Sequence, residues 1–208
     1  MPTLPRLILA SASPARLKTL QNAGLSPEVV VSGVDEDSIE VTAAADYTLK
    51  LAQLKAVAVA ADQRRAIVIG CDSVLALDDE ILGKPASEDE AIARWKQMRG
   101  RAGVLHTGHC VIDTHREVWL ARSAATQVRF AHVSDEEIEA YVATGEPSAV
   151  AGAFTLDGLG GAFVSGVTGD PHNVVGISLP LLRLMLDELG FVWTDFWVTP
   201  PAGRAPGR

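Results

Sequence analysis

Short continuous apolar runs alternate along this chain with apolar stripes at helical spacing. Leu7 to Ala10 is apolar throughout, the form of a strand covered on both faces. Ser13 and Pro14 then supply a cap and a first helical position, and Gly24 stops the helix that runs over 14–22. Pro27–Ser32 reads as a strand and Gly33–Asp37 as an acidic turn. Asp46–Ala61 predicts a helix capped by Asp46, with Leu51, Leu54, Val57, Ala58 and Ala61 as its stripe. Ala66–Val74 is a central buried strand that continues through Leu77, and Asp78-Asp79-Glu80 turns it into Ile81-Leu82. Ser87–Met98 is a helix with three carboxylates in its first turn, ended by Gly100. Val104–Ile112 and Val118–Phe130 read as long strands joined at Asp113-Thr114-His115-Arg116. Ser134 and Glu137 make a capping box for a helix through Thr144. Ala162-Phe163-Val164 reads as strand, 169–173 as a polar loop, and 178–189 as the last helix. Strand and helix alternate, then strands pair, then helices return. That order predicts an α/β fold on a twisted mixed sheet.

Composition narrows the partners. Apolar residues make up 48% of the chain and charged residues 21%, which supports a sizeable core. The net charge of −8 argues against a nucleic-acid polymer or an anionic membrane as partner. No apolar run reaches membrane-spanning length, and no basic-then-apolar leader opens the chain, so a cytoplasmic location is expected. Cys71 and Cys110 lie in apolar runs at no metal spacing, which suits two reduced, buried thiols. One domain over 1–198 is expected, followed by a loose Pro-, Gly- and Arg-rich tail at 199–208.

An acidic protein that takes an anion must gather its few cations locally. The junction Ser11-Ala12-Ser13-Pro14-Ala15-Arg16 offers two hydroxyls, a helix amino terminus and a guanidinium fork, a set suited to a phosphate chain. An ordinary strand–loop–helix connection with a solvated arginine is the alternative. Lys55 lies one turn beyond Leu51 beside the apolar stripe, so its head group must reach solvent or a nearby anion. Asp72 ends the central apolar run, where open α/β sheets bind ligands, and an ionised carboxylate there is expensive unless something pairs with it. Gly83-Lys84-Pro85 holds one lysine on constrained backbone. The acidic turn after the second strand suits a hard cation or plain solvent exposure. Four glycines near Asp157 let the backbone approach a flat ligand. The five histidines do not cluster at ligand spacing, and surface or structural roles fit them better.

Ten motifs occur in an order that resembles the Maf family of nucleoside triphosphate pyrophosphatases, once described as septum-formation inhibitors. They are 11–16, Val34-Asp35-Glu36, Leu51-Ala52 with Lys55-Ala56, Gly70-Cys71-Asp72-Ser73-Val74, 81–85, Thr107-Gly108, 141–147, Ala151-Gly152-Ala153, 158–161 and Asn173-Val174-Val175-Gly176. The resemblance runs from about Leu7 to Gly190.

It implies a single elongated α/β domain with a central twisted mixed sheet and a cleft between two lobes, similar to the inosine triphosphate pyrophosphatase-like fold. It implies hydrolysis of a nucleoside triphosphate to the monophosphate and pyrophosphate, clearing non-standard or excess nucleotides, with a divalent metal, magnesium or manganese. The alternative is a nucleotide-binding regulator of cell division, and a homodimer is one assembly the reading allows. Carried over by position, Asp72 is the expected proton acceptor, and Ser11, Ser13, Arg16, Lys55 and Lys84 are the substrate contacts. Glu36 and Asp72 are the expected metal positions. Base choice is expected at Ala15, Ser73 and Asp157. There the chain departs from the dTTP/UTP type, which resembles Pro-Arg-Arg, Asp-Thr and Gln-Gly. It also departs from the 7-methyl-GTP type, which has a bulky aromatic, a glutamine and a glutamate.

Overall fold

In the computed structural model, residues 4–35, 39, 43–78 and 80–198 are described. Glu36, with the rest of the acidic turn beyond Asp35, and the tail 199–208 lie outside them. Strand β1 (Arg6–Leu9) carries the first apolar run, and α1 (Pro14–Asn22) follows with Ser13 as its cap. The Ser13 hydroxyl accepts from the Arg16 amide, and Pro14 needs no partner for a missing N–H. Strand β2 is only Glu28–Val29, shorter than its β-branched run suggests: Glu28 and Val29 pair with Ile8 and Leu9 of β1, and the Val30 amide adds one last bond to the Leu9 carbonyl.

Helix α2 (Ala44–Ala60) corrects two details of the sequence reading. Asp46 sits in its first turn and Ala43 takes the cap position without a side-chain bond. The buried face is Thr48, Leu51, Ala52, Lys55, Ala56 and Val59, while Val57 is 57% exposed. Small residues turn inward because α2 lies directly on the sheet. A Cβ added to Gly70 would overlap Ala52 and Ala56, and one on Gly108 would overlap Thr48. The two glycines set how closely helix and sheet approach.

Among the described residues the sheet has seven strands. β3 (Ala66–Leu77) is central, with β1 parallel to one part of it and β4 (Glu80–Leu82) antiparallel to another, on the edge away from β5 (Ala102–Asp113). β6 (Val118–Phe130) pairs with β5, and β7 (Val164–Thr168) pairs with the end of β6. Helices α3 (Glu88–Met98), α4 (Asp135–Val142), α5 (Pro171–Val175) and α6 (Leu179–Glu188) cover the sheet. The mixed sheet is open, and the fold is one mixed α/β domain. The stretch 169–173, read as a loop, contains most of α5, because Asp170 caps it and Pro171 opens it. Residues 159–163 form a 3-10 turn before β7.

Packing has two centres. At one end Trp95 takes Phe130, Tyr141 and Phe163 on its edges and donates its indole N–H to the Ala153 carbonyl, 2.7 Å away. At the other end Leu7, Leu9, Ile67, Ile69 and Cys71 pack under α1 and α6 on one face of the sheet. Ile8, Val68 and Cys110 pack under α2 on the opposite face. Both thiols are buried and unbridged, and burial pushes each up to about 12, so neither is a nucleophile at neutral pH. No described helix is long and apolar enough to cross a membrane.

Candidate active site

The sheet itself makes a gap. β1 pairs with β3 as far as Ile69, and β4 pairs from Leu75 onward. Between them, residues 70–74 of β3 have one open edge among the described residues, while β5 fills the other. Chain β1 ends beside this opening and turns into the serine loop and the amino terminus of α1. In open α/β sheets a ligand enters at such a change of strand partner.

Two polar clusters flank the opening. Successive strand residues face opposite ways, so Asp72 and Ser73 project from opposite faces of β3. Asp72 shares its face with Gly70, the face α2 covers, and there meets Lys55. The Lys55 Nζ lies 2.5 Å from Asp72 Oδ1, and the two side chains are 10% and 11% exposed. The lysine that breaks the apolar stripe thus reaches an anion. Burying the Asp72 carboxylate without a cation beside it would leave an uncompensated ion, at a cost of about 3–5 kcal/mol. Oδ2 of Asp72 has no hydrogen bond from the described residues.

On the other face stands Arg16. Its Nε donates to the Gly176 carbonyl at 2.8 Å, Nη1 to Ser11 Oγ at 3.0 Å and Nη2 to Ser73 Oγ at 3.1 Å. A guanidinium has five N–H donors, so two remain for a ligand. Ser11 Oγ also accepts the Ser13 amide at 3.2 Å. Gly176 caps α5 with a φ of 117°, a conformation glycine adopts without strain, which turns its carbonyl toward Arg16. The sequence-expected Ser11, Ser13, Arg16 and Ser73 therefore come together, as do Lys55 and Asp72.

Lys84, Ala15 and Asp157 join neither cluster through a hydrogen bond. Lys84 is exposed, on backbone fixed from both sides. The Gly83 carbonyl accepts from Arg94 at 2.6 Å and from the Gly152 amide at 2.9 Å, and the Ala86 amide donates to Glu90 at 2.6 Å. Asp157 is exposed at the head of a loop that Glu146 ties down. The Glu146 carboxylate accepts from Tyr141 at 2.8 Å, Thr155 at 2.5 Å, and the amides of Leu159 and Gly160 at 3.0 Å each. Burial opposes its charge, yet bonds from Thr155, Gly160, Leu159 and Tyr141 outweigh that and hold its carboxyl down to about 2.

Sequence reasoning gave no site role to Thr107, Glu146 or Asn173, and expected of His109 only a surface or structural one. Thr107 Oγ1 lies 2.9 Å from Ser73 Oγ and donates to the Asn173 carbonyl at 3.1 Å. His109 is fully buried, 3.1 Å from the Thr107 carbonyl through Nδ1, and its Nε2 accepts the Ser178 amide at 2.8 Å. That network requires the neutral ring protonated on Nδ1. Burial pushes its pKa down to about 4. Each of these residues stands inside or beside a quoted motif, and alternation along β5 placed Thr107 and His109 on one face. The signal absent from the sequence was the register that aligns Thr107 with Ser73.

No group of three or more His, Cys, Asp or Glu among the described residues could hold a metal ion. Magnesium at phosphate sites takes one or two carboxylates and fills its shell with phosphate oxygens and water, so the second oxygen of Asp72 fits that need.

An open mixed sheet with a lysine–carboxylate pair on one face and an arginine–serine cluster on the other, at a strand-partner gap, is the frame of a phosphate-handling α/β protein. The chain belongs to the Maf family: the family profile described as Maf-like protein matches residues 6–189. A protein of Streptomyces avermitilis named nucleoside triphosphate pyrophosphatase is 57% identical over 194 residues, covering 92% of this chain and 94% of that one. A protein of the same name from Salinispora tropica is 57% identical over 197 residues, covering 92% and 87%. One from Gloeothece citriformis is 52% identical over 195 residues, covering 94% and 99%.

Proposed function

We propose that the chain hydrolyses nucleoside triphosphates to the monophosphate and pyrophosphate. The observation that carries this reading is the Lys55–Asp72 pair at the open stretch of β3, with Arg16 across the strand. Lys55 fixes one oxygen of the Asp72 carboxylate. The other oxygen is left to orient a water and take its proton. The water oxygen joins one phosphorus of the α–β anhydride, and the bridging oxygen leaves with the other. Arg16, Lys55 and Lys84 are the cations that offset charge on the phosphate chain, and Ser11 and Ser13 line its path. Asp72, with Glu36 as a second carboxylate, would hold a magnesium or manganese ion, which supplies charge neutralisation at the phosphate oxygens. Asp157 and Ala15 are assigned to the base. The site of action is the cytoplasm, where both buried thiols stay reduced.

A panel of triphosphates incubated with the full chain, with and without magnesium, tests this. Equal release of nucleoside monophosphate and pyrophosphate is expected. Release of orthophosphate and nucleoside diphosphate would overturn the assigned bond. Tight binding with no turnover would favour a nucleotide-binding regulator, a role for which the paired Asp72 is unneeded.

A further inference from the structure

The hydroxyl of Ser73 does not end at Arg16. Thr107 Oγ1 has one hydrogen, and it goes to the Asn173 carbonyl, 3.1 Å away. The contact of 2.9 Å between Ser73 and Thr107 must therefore be filled by the Ser73 hydrogen. Ser73 then accepts from Arg16 Nη2 with its lone pairs. One proton order results: Arg16 N–H to Ser73, Ser73 O–H to Thr107, Thr107 O–H to the Asn173 carbonyl. Each donor polarises the next acceptor, which strengthens a chain of this kind.

Both ends are anchored. Asn173 is fully buried, and its amide donates to the Leu105 carbonyl at 3.1 Å and to Thr126 Oγ1 at 3.2 Å. Thr126 Oγ1 passes its own hydrogen to the Asp170 carbonyl at 3.0 Å. Short helix α5 is thereby pinned to β5 and β6. Its carboxyl end meets Arg16 twice, directly through the Gly176 carbonyl and indirectly through Asn173, Thr107 and Ser73. His109 holds the Thr107 carbonyl from the other side.

We propose that Thr107 and Asn173 are positioning residues for the reaction, which set the orientation of the Arg16 fork through Ser73, and that Ser73 acts on the phosphate chain through Arg16 and not on the base. The proposal rests on the reading of Arg16 as a phosphate contact. It departs from the expectation that Ser73 selects the base. The hydroxyl of Ser73 has its hydrogen given to Thr107 and a lone pair given to Arg16, so no donor is left for a base edge.

The test is a set of full-length variants assayed for kcat/KM on several triphosphates and for inhibition by inorganic pyrophosphate. Thr107→Val keeps the shape and removes the hydroxyl. It should lower kcat/KM about tenfold, alike for every base, and weaken pyrophosphate inhibition in proportion. Thr107→Ser restores the hydroxyl and should return both to within about threefold of the parent. In an Arg16→Ala background, Thr107→Val should cost nothing further, a coupling that a purely structural role would not produce. If Thr107→Val does not fold, Ser73→Ala reads the same link and should show the same loss and the same coupling. Undiminished loss in the Arg16→Ala background, an unchanged Thr107→Val or Ser73→Ala enzyme, or a reordered base ranking overturns the proposal. An Arg16→Ala enzyme with parental activity would instead overturn the underlying phosphate assignment.

Discussion

Arg16 and Lys84 are both cations assigned to one phosphate chain, and the fold holds them in opposite ways. Arg16 is fixed through its side chain, with three donors spent on Ser11, Ser73 and Gly176. Lys84 is fixed through its backbone, by Gly152 and Arg94 on the Gly83 carbonyl, and its side chain stays exposed. Asp157 repeats the second pattern, since Glu146 binds the main chain of its loop and leaves the side chain outside. A side chain already ordered gives up little rotamer freedom when a ligand arrives, whereas an exposed lysine gives up more. On the assignment proposed above, Arg16 would contribute geometry and Lys84 charge.

The largest expected effect sits between the two regions. Asp72→Asn should lower kcat by about a hundredfold to ten-thousandfold, with nucleotide binding retained in an equilibrium assay. Near-parental turnover would remove Asp72 from the mechanism. Next come the two cations. Arg16→Lys should lose nearly as much kcat/KM as Arg16→Ala, roughly a hundredfold to a thousandfold, because an ammonium cannot reproduce the three-way fork. Lys84→Ala should fall comparably, while Lys84→Arg should stay within about fivefold, since a mobile charge tolerates the exchange. Equal tolerance at both positions would erase the contrast.

Acid should separate the regions too. His109, buttressing Thr107, is held to about 4 in the fold, chiefly by burial, against an ordinary value of 6.5. The unfolded chain binds that proton more readily between these values, so stability is full above pH 6.5 and falls toward pH 4. The total is about 3 kcal/mol. Urea unfolding across that window should show the slope, and His109→Asn should flatten it. Glu146 is also lowered, from 4.5 to about 2, so its loop keeps its support down to pH 4.5 and loses it toward pH 2. A parental slope unchanged by His109→Asn would remove the histidine from this account. The smallest change is in selectivity. Asp157→Gln should shift kcat/KM ratios toward thymine and uracil nucleotides by about tenfold, because a carboxylate accepts hydrogen bonds and donates none.

Much of this was legible before any fold was drawn. Caps at Ser13 and Ser134 and the apolar run into Asp72 rest on local rules, and each holds. Helix α2 was misread in detail because Ala and Leu look alike to a periodicity argument. The side that turned inward was chosen by Gly70 and Gly108 on two other strands. Lys55 was left between solvent and an unnamed anion, since Asp72 lies 17 residues away across that same glycine contact. The chain from Ser73 through Thr107 to Asn173 spans three elements, and only strand register brings it together. Glu146 was not singled out, because its four donors come from loop backbone and side chains that no spacing rule connects.

The most direct measurement is kcat/KM for Arg16→Lys and Asp157→Gln, side by side, over a panel of purine and pyrimidine triphosphates. The account predicts that Arg16→Lys lowers every substrate by one common factor and that Asp157→Gln reorders them. A reordered panel for Arg16→Lys, or a uniform drop for Asp157→Gln, would contradict the assignment of the side-chain-fixed Arg16 to the phosphate chain and of Asp157, on its backbone-fixed loop, to the base.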